Sequence, residues 1–299
     1  MIDRFNFYDI YGYLLPGSAL LTILWFPFAV MGKALPVERI SAAVIALGLA
    51  YIVGHILQTV LTNVLSSKVC DSKNQMRPPS DIMLDPGEAG LSGQLKERLA
   101  ARVMEVFHID LAISTDGTGA NGPSRQRGDA FFQCRTFLAL KKASAYTEQF
   151  EGLYALMRGL CGAFCIGGSY LVGWGASGWQ FLPHEWIGIS VFGLVVLSVA
   201  VSAIWSMILG PFNAKRKRAE VALSISIVLC ALLSGWMLGR SNSHVSPWLI
   251  WGAAGVACFA GIRCYSGYRV YADLFAKSVW RDFAGFSAQG TSSASDPGK

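Results

Sequence analysis

Residues 40–61 read ISAAVIALGLAYIVGHILQTVL, 22 consecutive positions without an Asp, Glu, Lys or Arg. A helix of about 20 residues is what crosses a bilayer core of about 30 Å. Only a helix or a closed barrel can satisfy its backbone N–H and C=O groups inside hydrocarbon. Working outward from this run, five more stretches meet the same requirement: 12–31, 153–174, 186–209, 221–238 and 248–265, the last interrupted by Arg263. Composition agrees, since 53% of the 299 residues are hydrophobic and only 15% are charged, against about 25% in soluble domains. The expected fold is all-α, a polytopic six-helix transmembrane bundle with a helical cytoplasmic insertion. The expected parts are a hairpin of two spans (1–65), the insertion (66–152), four more spans (153–266), an amphipathic cytoplasmic helix (267–286) and a disordered tail (287–299).

Orientation follows from the basic residues. With 66–152 and both termini in the cytoplasm, the inside holds 22 of the 25 Lys and Arg. The outside keeps only Lys33, Arg39 and Arg240. This obeys the positive-inside rule at every loop, and in a bacterium it implies the inner membrane. Asp3 and Asp9 outnumber Arg4 at the start, which does not read as a cleavable signal. Arg158 and Arg263 lie about a turn inside the cytoplasmic ends of their spans. They can snorkel to lipid phosphates, or meet a partner or an acidic residue such as Glu151. Lys215, Arg216, Lys217 and Arg218 form a short turn between spans, either as a topology signal or as a headgroup contact.

Small residues recur every fourth position along the spans: Ala42, Ala46, Ala50 and Gly54; Ala155, Gly159, Ala163 and Gly167; Ser198, Ser202, Ser206 and Gly210; Ala222, Ser226, Cys230 and Ser234; Ala253, Ala257 and Gly261. Each set shares a helix face and permits close backbone approach in lipid. The same faces suit contact between copies, so a homo-oligomer stays open. A polar stripe on the second span comprises Tyr51, His55, Gln58, Thr59, Thr62 and Asn63. It serves either interhelical hydrogen bonding or a polar route for ions or protons. No carboxylate lies in a span core, which weighs against coupled transport. Pro16 and Pro27 predict a kinked or broken first span.

Within the insertion, Ser92 is placed to cap a helix through about Phe107, with Leu95, Leu99, Val103, Val106 and Phe107 on its apolar stripe. Residues 116–128 read as a Gly-rich loop. From Asp129 a helical pattern resumes and is expected to continue into the third span. Gly117 to Gly122 matches GxGxxG, but Pro123 follows at once and no βαβ unit surrounds it, so no dinucleotide site is expected. His55, His108, His184 and His244 are scattered and the seven cysteines form no CxxC pair. No metal, cofactor or catalytic set is expected, and the cysteines read as small packing residues. The insertion is charge-balanced, which disfavours nucleic acid. Beyond the sixth span, Tyr268, Tyr271, Phe275, Val279, Phe283 and Phe286 form an apolar stripe, to lie on the membrane surface or to pack on the insertion.

The opening Phe5-Asn6-Phe7-Tyr8-Asp9-Ile10-Tyr11-Gly12-Tyr13-Leu14-Leu15-Pro16-Gly17 resembles the start of poorly characterised bacterial polytopic membrane proteins associated with anti-phage defence loci. The helix carrying Arg135 and Tyr154 to Arg158, and the tail ending Trp280-Arg281-Asp282-Phe283, are similar in style. The resemblance implies a non-enzymatic inner-membrane component of a defence or stress system, acting as sensor, anchor or membrane-acting effector. Membrane lipids and a cytoplasmic protein meeting 66–152 and 267–286 are the expected partners. The alternative is a small transporter or channel using the stripe on the second span.

Overall fold

A computed structural model describes residues 9–33, 40–65, 69–70, 76–85, 90–111, 122–141, 145–177, 214–241 and 246–292. The described residues are mainly helical. A π-helical turn, Ile10–Leu14, leads into α1, Leu15–Val30. Then come α2 (Ile40–Val64), the short α3 (Pro79–Ile82), α4 (Gly93–Phe107), α5 (Gly122–Leu140), α6 (Ala145–Ala176), α7 (Ala214–Ser241) and α8 (Pro247–Ser292). The strands β1 (Val69–Cys70) and β2 (Met76–Arg77) make one antiparallel pair, with Val69 opposite Arg77. Four stretches are long and apolar enough to cross a membrane: Ile10–Val30, Ala42–Thr62, Tyr146–Ala176 and Pro247–Gly285. Helix α7 carries a shorter apolar stretch, Ile225–Arg240. The span expected over 186–209, with its serines Ser198, Ser202 and Ser206, lies outside the described residues.

The chain divides into two compact units. One combines Met1–Ser66 with Ala155–Ser266, the other Ser67–Tyr154 with Gly267–Lys299.

The first unit holds the apolar helices, and its packing runs through backbone. A Cβ on Gly17 would stand 1.8 Å from the Ala50 carbonyl oxygen, and one on Gly54 1.8 Å from that of Tyr13. Helices α1 and α2 therefore touch main chain to main chain. Between α6 and α7, Gly173 and Gly235 would likewise strike the carbonyls of Leu232 and Tyr170. Lipid supplies no hydrophobic drive between helices, so close van der Waals contact of this kind holds them together. The outward faces are greasy: Val44, Ile45, Leu47, Ile52 and Ile56 on α2, and Val256, Phe259 and Ile262 on α8, are exposed. In water so much contiguous apolar surface would be a liability; in hydrocarbon it is the solvated face.

The second unit has a core of the soluble kind. Leu84, Leu99, Val103, Leu111, Cys134, Leu138, Val279, Trp280 and Phe283 are all buried in one cluster. Ser92 takes the N-cap position of α4 in extended conformation, but its hydroxyl makes no capping bond. The helix stops at His108, whose φ of 56° is left-handed and whose N–H reaches the Met104 carbonyl at 3.0 Å.

Three sequence expectations give way. Helix α5 starts at Gly122, so 122–128 is helix, not loop; Pro123 falls in its first turn, where the missing N–H has no intrahelical acceptor to lose. The helix expected to run from Asp129 into the third span is two helices, α5 and α6. Arg135 and Glu151 form an ion pair although 16 residues apart. On one straight helix they would be separated by about 24 Å, so the chain must fold back between them. Finally, α8 continues to Ser292, so the first part of 287–299 is helical.

The tail stripe packs on the insertion. Phe283 stacks on Phe107 with ring centroids 5.5 Å apart, Trp280 meets Phe131 at 5.3 Å, and its indole N–H donates to the Ser80 carbonyl at 3.2 Å.

Candidate functional site

The polar residues of the first unit converge on Gln58. Pro16 has no amide hydrogen, so it cannot donate to the Gly12 carbonyl four residues earlier. The π-helical turn precedes it, and the Leu15 N–H reaches back to Ile10. Such turns are frequent at functional sites. From α2, the Gln58 Nε2 donates to the Gly12 carbonyl at 2.7 Å and to the Ala155 carbonyl of α6 at 2.5 Å. Its Oε1 accepts from the Arg158 Nε at 2.8 Å. One carboxamide thus ties α1, α2 and α6 using both donors and its acceptor. Both side chains are enclosed, Gln58 at 3% and Arg158 at 7% exposure. Gly159 makes the approach possible: a Cβ there would lie 2.5 Å from the Pro16 Cγ and 2.8 Å from the Gln58 Nε2.

The rest of the stripe goes elsewhere. Tyr51 and His55 make ring contacts with Tyr13, at 5.8 and 4.7 Å. Thr59 and Thr62 return their hydroxyls to the carbonyls of His55 and Gln58 on their own helix, at 2.9 and 2.7 Å. The Asn63 side chain lies outside the described residues. Arg158 is buried against Gln58 rather than extended toward headgroups, and Glu151 binds Arg135. Arg263 is exposed on α8. Lys215, Arg216, Lys217 and Arg218 open helix α7 rather than forming a turn, and their side chains lie outside the described residues.

Chemically, a carboxamide does not titrate and a guanidinium keeps its proton. The node therefore locks helices through hydrogen bonds.

A second polar assembly lies in the helical unit, around Asp85. Asp85 accepts from Arg77 through one oxygen and from the Arg127 Nη1 at 2.8 Å through the other. Arg127 also donates from Nε to the Leu111 carbonyl at 3.2 Å, and Lys96 donates to the Asp85 carbonyl. Burial works against the Asp85 charge, but the bonds from Arg77 and Arg127 outweigh it and hold its carboxyl below the usual aspartate range. Elsewhere in this core, burial pushes the Cys134 thiol up to about 12. Among the described residues, no three His, Cys, Asp or Glu side chains come together to hold a metal ion.

Fold and node together define a chain of membrane-spanning type, mainly helical over the described residues, with a second, separately cored helical unit. Compared with known proteins, the chain matches no family model, no curated protein and no solved structure.

Proposed function

We propose that this chain is a non-enzymatic inner-membrane component of a bacterial anti-phage defence or stress system, in which the apolar unit anchors a cytoplasmic helical module that meets a protein partner. The observation that carries the anchored-module reading is the burial of the tail in the insertion, with the Trp280 indole bonded to the Ser80 carbonyl. Segments that share one core lie on one side of the membrane. The chain between them must then cross an even number of times. Helices α6 and α8 are long and apolar enough to supply two of the crossings; in this reading the shorter apolar helix α7 and the apolar run 186–209 are the other two. With α1 and α2 this favours six spans, and the basic residues favour the cytoplasm for the shared core. The defence assignment rests on the resemblance of residues 5–17. The engaged Gln58 carboxamide favours helix locking over a transport route along α2.

The test is phage plating on bacteria carrying the chain with its native neighbouring genes. The intact locus should protect, and deletion of 90–150 with membrane insertion retained should abolish protection. Absence of protection from the intact locus would remove the defence reading. Full protection by the deletion would remove the module's role.

A further inference from the structure

The helical unit carries a groove of about 510 Å³ between α4 and the tail part of α8. One wall is a single face of α4, with Arg98, Arg102 and Glu105 spaced by four and three residues so that they stand together. The other wall is α8, which presents Arg281 and, one turn on, the small Ala284. Leu95 adds an apolar patch. Arg102 is engaged by Glu105, at 2.6 Å. Arg98 and Arg281 are exposed, and among the described residues neither meets an acidic side chain. Three guanidiniums thus face one carboxylate across a concave surface of small-molecule size, which runs from about 300 to 1,000 Å³.

We propose that this groove binds a phosphorylated ligand carrying at least two negative charges, with Arg98 and Arg281 as its principal contacts. Guanidinium forks match phosphate oxygens two at a time, which a carboxylate-poor groove leaves free to happen. Two walls of opposed arginines suit a polyphosphate better than a single carboxylate. The lack of bulk at Ala284 and Gly285 leaves room for the ligand's body. A soluble nucleotide-like phosphate and an anionic lipid headgroup share this chemistry. The groove lies wholly in the helical unit and its test reads binding alone, so the inference stands apart from the defence reading.

The full-length chain in nonionic detergent is titrated with inorganic pyrophosphate, and separately captured on nanodiscs with and without phosphatidate. Saturable pyrophosphate binding that weakens with salt indicates a soluble ligand; retention by phosphatidate discs alone indicates a headgroup. Either supports the proposal. Arg98→Ala and Arg281→Ala should each weaken binding about tenfold or more, and because both side chains are exposed they should leave the thermal midpoint unchanged. Glu105→Gln removes the groove's one acid and should tighten binding, a change that misfolding cannot mimic. Binding to neither probe, or equal binding by the arginine variants, overturns the proposal.

Discussion

Gln58 shows how much a single side chain can carry inside lipid. Its three hydrogen bonds reach a carbonyl on each of two other helices and a buried cation. Interhelical bonds in membranes average only about 0.6 kcal/mol, but leaving a buried polar group without its partner costs about 1–3 kcal/mol. Gln58→Leu should therefore lower stability by about 1–3 kcal/mol, read as a reduced thermal midpoint in detergent, whereas Thr59→Val on the exposed face should change it little. An unchanged midpoint for the leucine variant would mean that the node is ornamental. Asp85 makes a different prediction. Its carboxyl is held below the ordinary value of about 4 by Arg77 and Arg127 against the effect of burial. A depressed folded pKa contributes stability that is present above the unfolded value and lost as pH falls through the folded one. Acidification below about pH 4 should therefore loosen the helical unit in the native chain. In Asp85→Asn that acid step should shrink while stability at neutral pH is already lower; denaturant midpoints at pH 6 and 3.5 compare the two. Cys134, buried and with its thiol pushed up to about 12, should resist maleimide at neutral pH until the chain is denatured, as peptide mass mapping can check.

At the scale of elements, small residues decide which helices meet. Gly54→Val would force a side chain into the Tyr13 carbonyl, 1.8 Å from where its Cβ must stand. Main chain cannot give way as a flexible side chain can, so α1 and α2 should separate, visible as gained protease sensitivity; Gly48→Val, with open space around it, is the matched control. Here the sequence is informative but incomplete. The four-residue spacing of Ala50 and Gly54, or of Gly159, Ala163 and Gly167, marks contact faces because helical periodicity is a local property. It does not say which helix lies opposite, and it misses the α6–α7 contact at Gly173 and Gly235, where one glycine per helix suffices. The amphipathic stripe of α4 was legible for the same local reason. The break between α5 and α6 was not, since both sides of it are good helix and only the pairing of Arg135 with Glu151 reveals the reversal. The Gln58 node was half legible: the polar residue stood out in the apolar run, but its partners are carbonyls of Gly12 and Ala155, and backbone groups carry no mark in a sequence. Asp85 was hidden altogether, because Arg77, Lys96 and Arg127 come together from segments up to 50 residues apart.

At the scale of the whole molecule, one core built from two distant segments constrains the path of everything between them. Residues 67–154 and 267–299 share that core, and Trp280, fully buried, is fastened to Ser80 200 residues earlier. A lipid bilayer admits no threading of a folded core, so the intervening chain must return to the side from which it left. On the six-span reading proposed above, the parity can be altered without touching the core: deleting 178–213 removes one apolar run and leaves an odd number. In the native chain, alkaline phosphatase fused after residue 299 should be inactive, as it is in the cytoplasm. In the deletion the same fusion should become active, because the tail now emerges on the far side. The positive-inside bias opposes this, since Arg269, Lys277 and Arg281 would be carried outward, and part of the population should instead fail to insert the last span. Where the last span does insert, Trp280 can no longer reach Ser80, and 90–150 should become sensitive to protease in inverted vesicles. An active fusion after residue 299 of the unaltered chain, with a fusion inside 90–150 inactive, would mean that tail and insertion lie on opposite sides, and the shared core could not exist in the membrane.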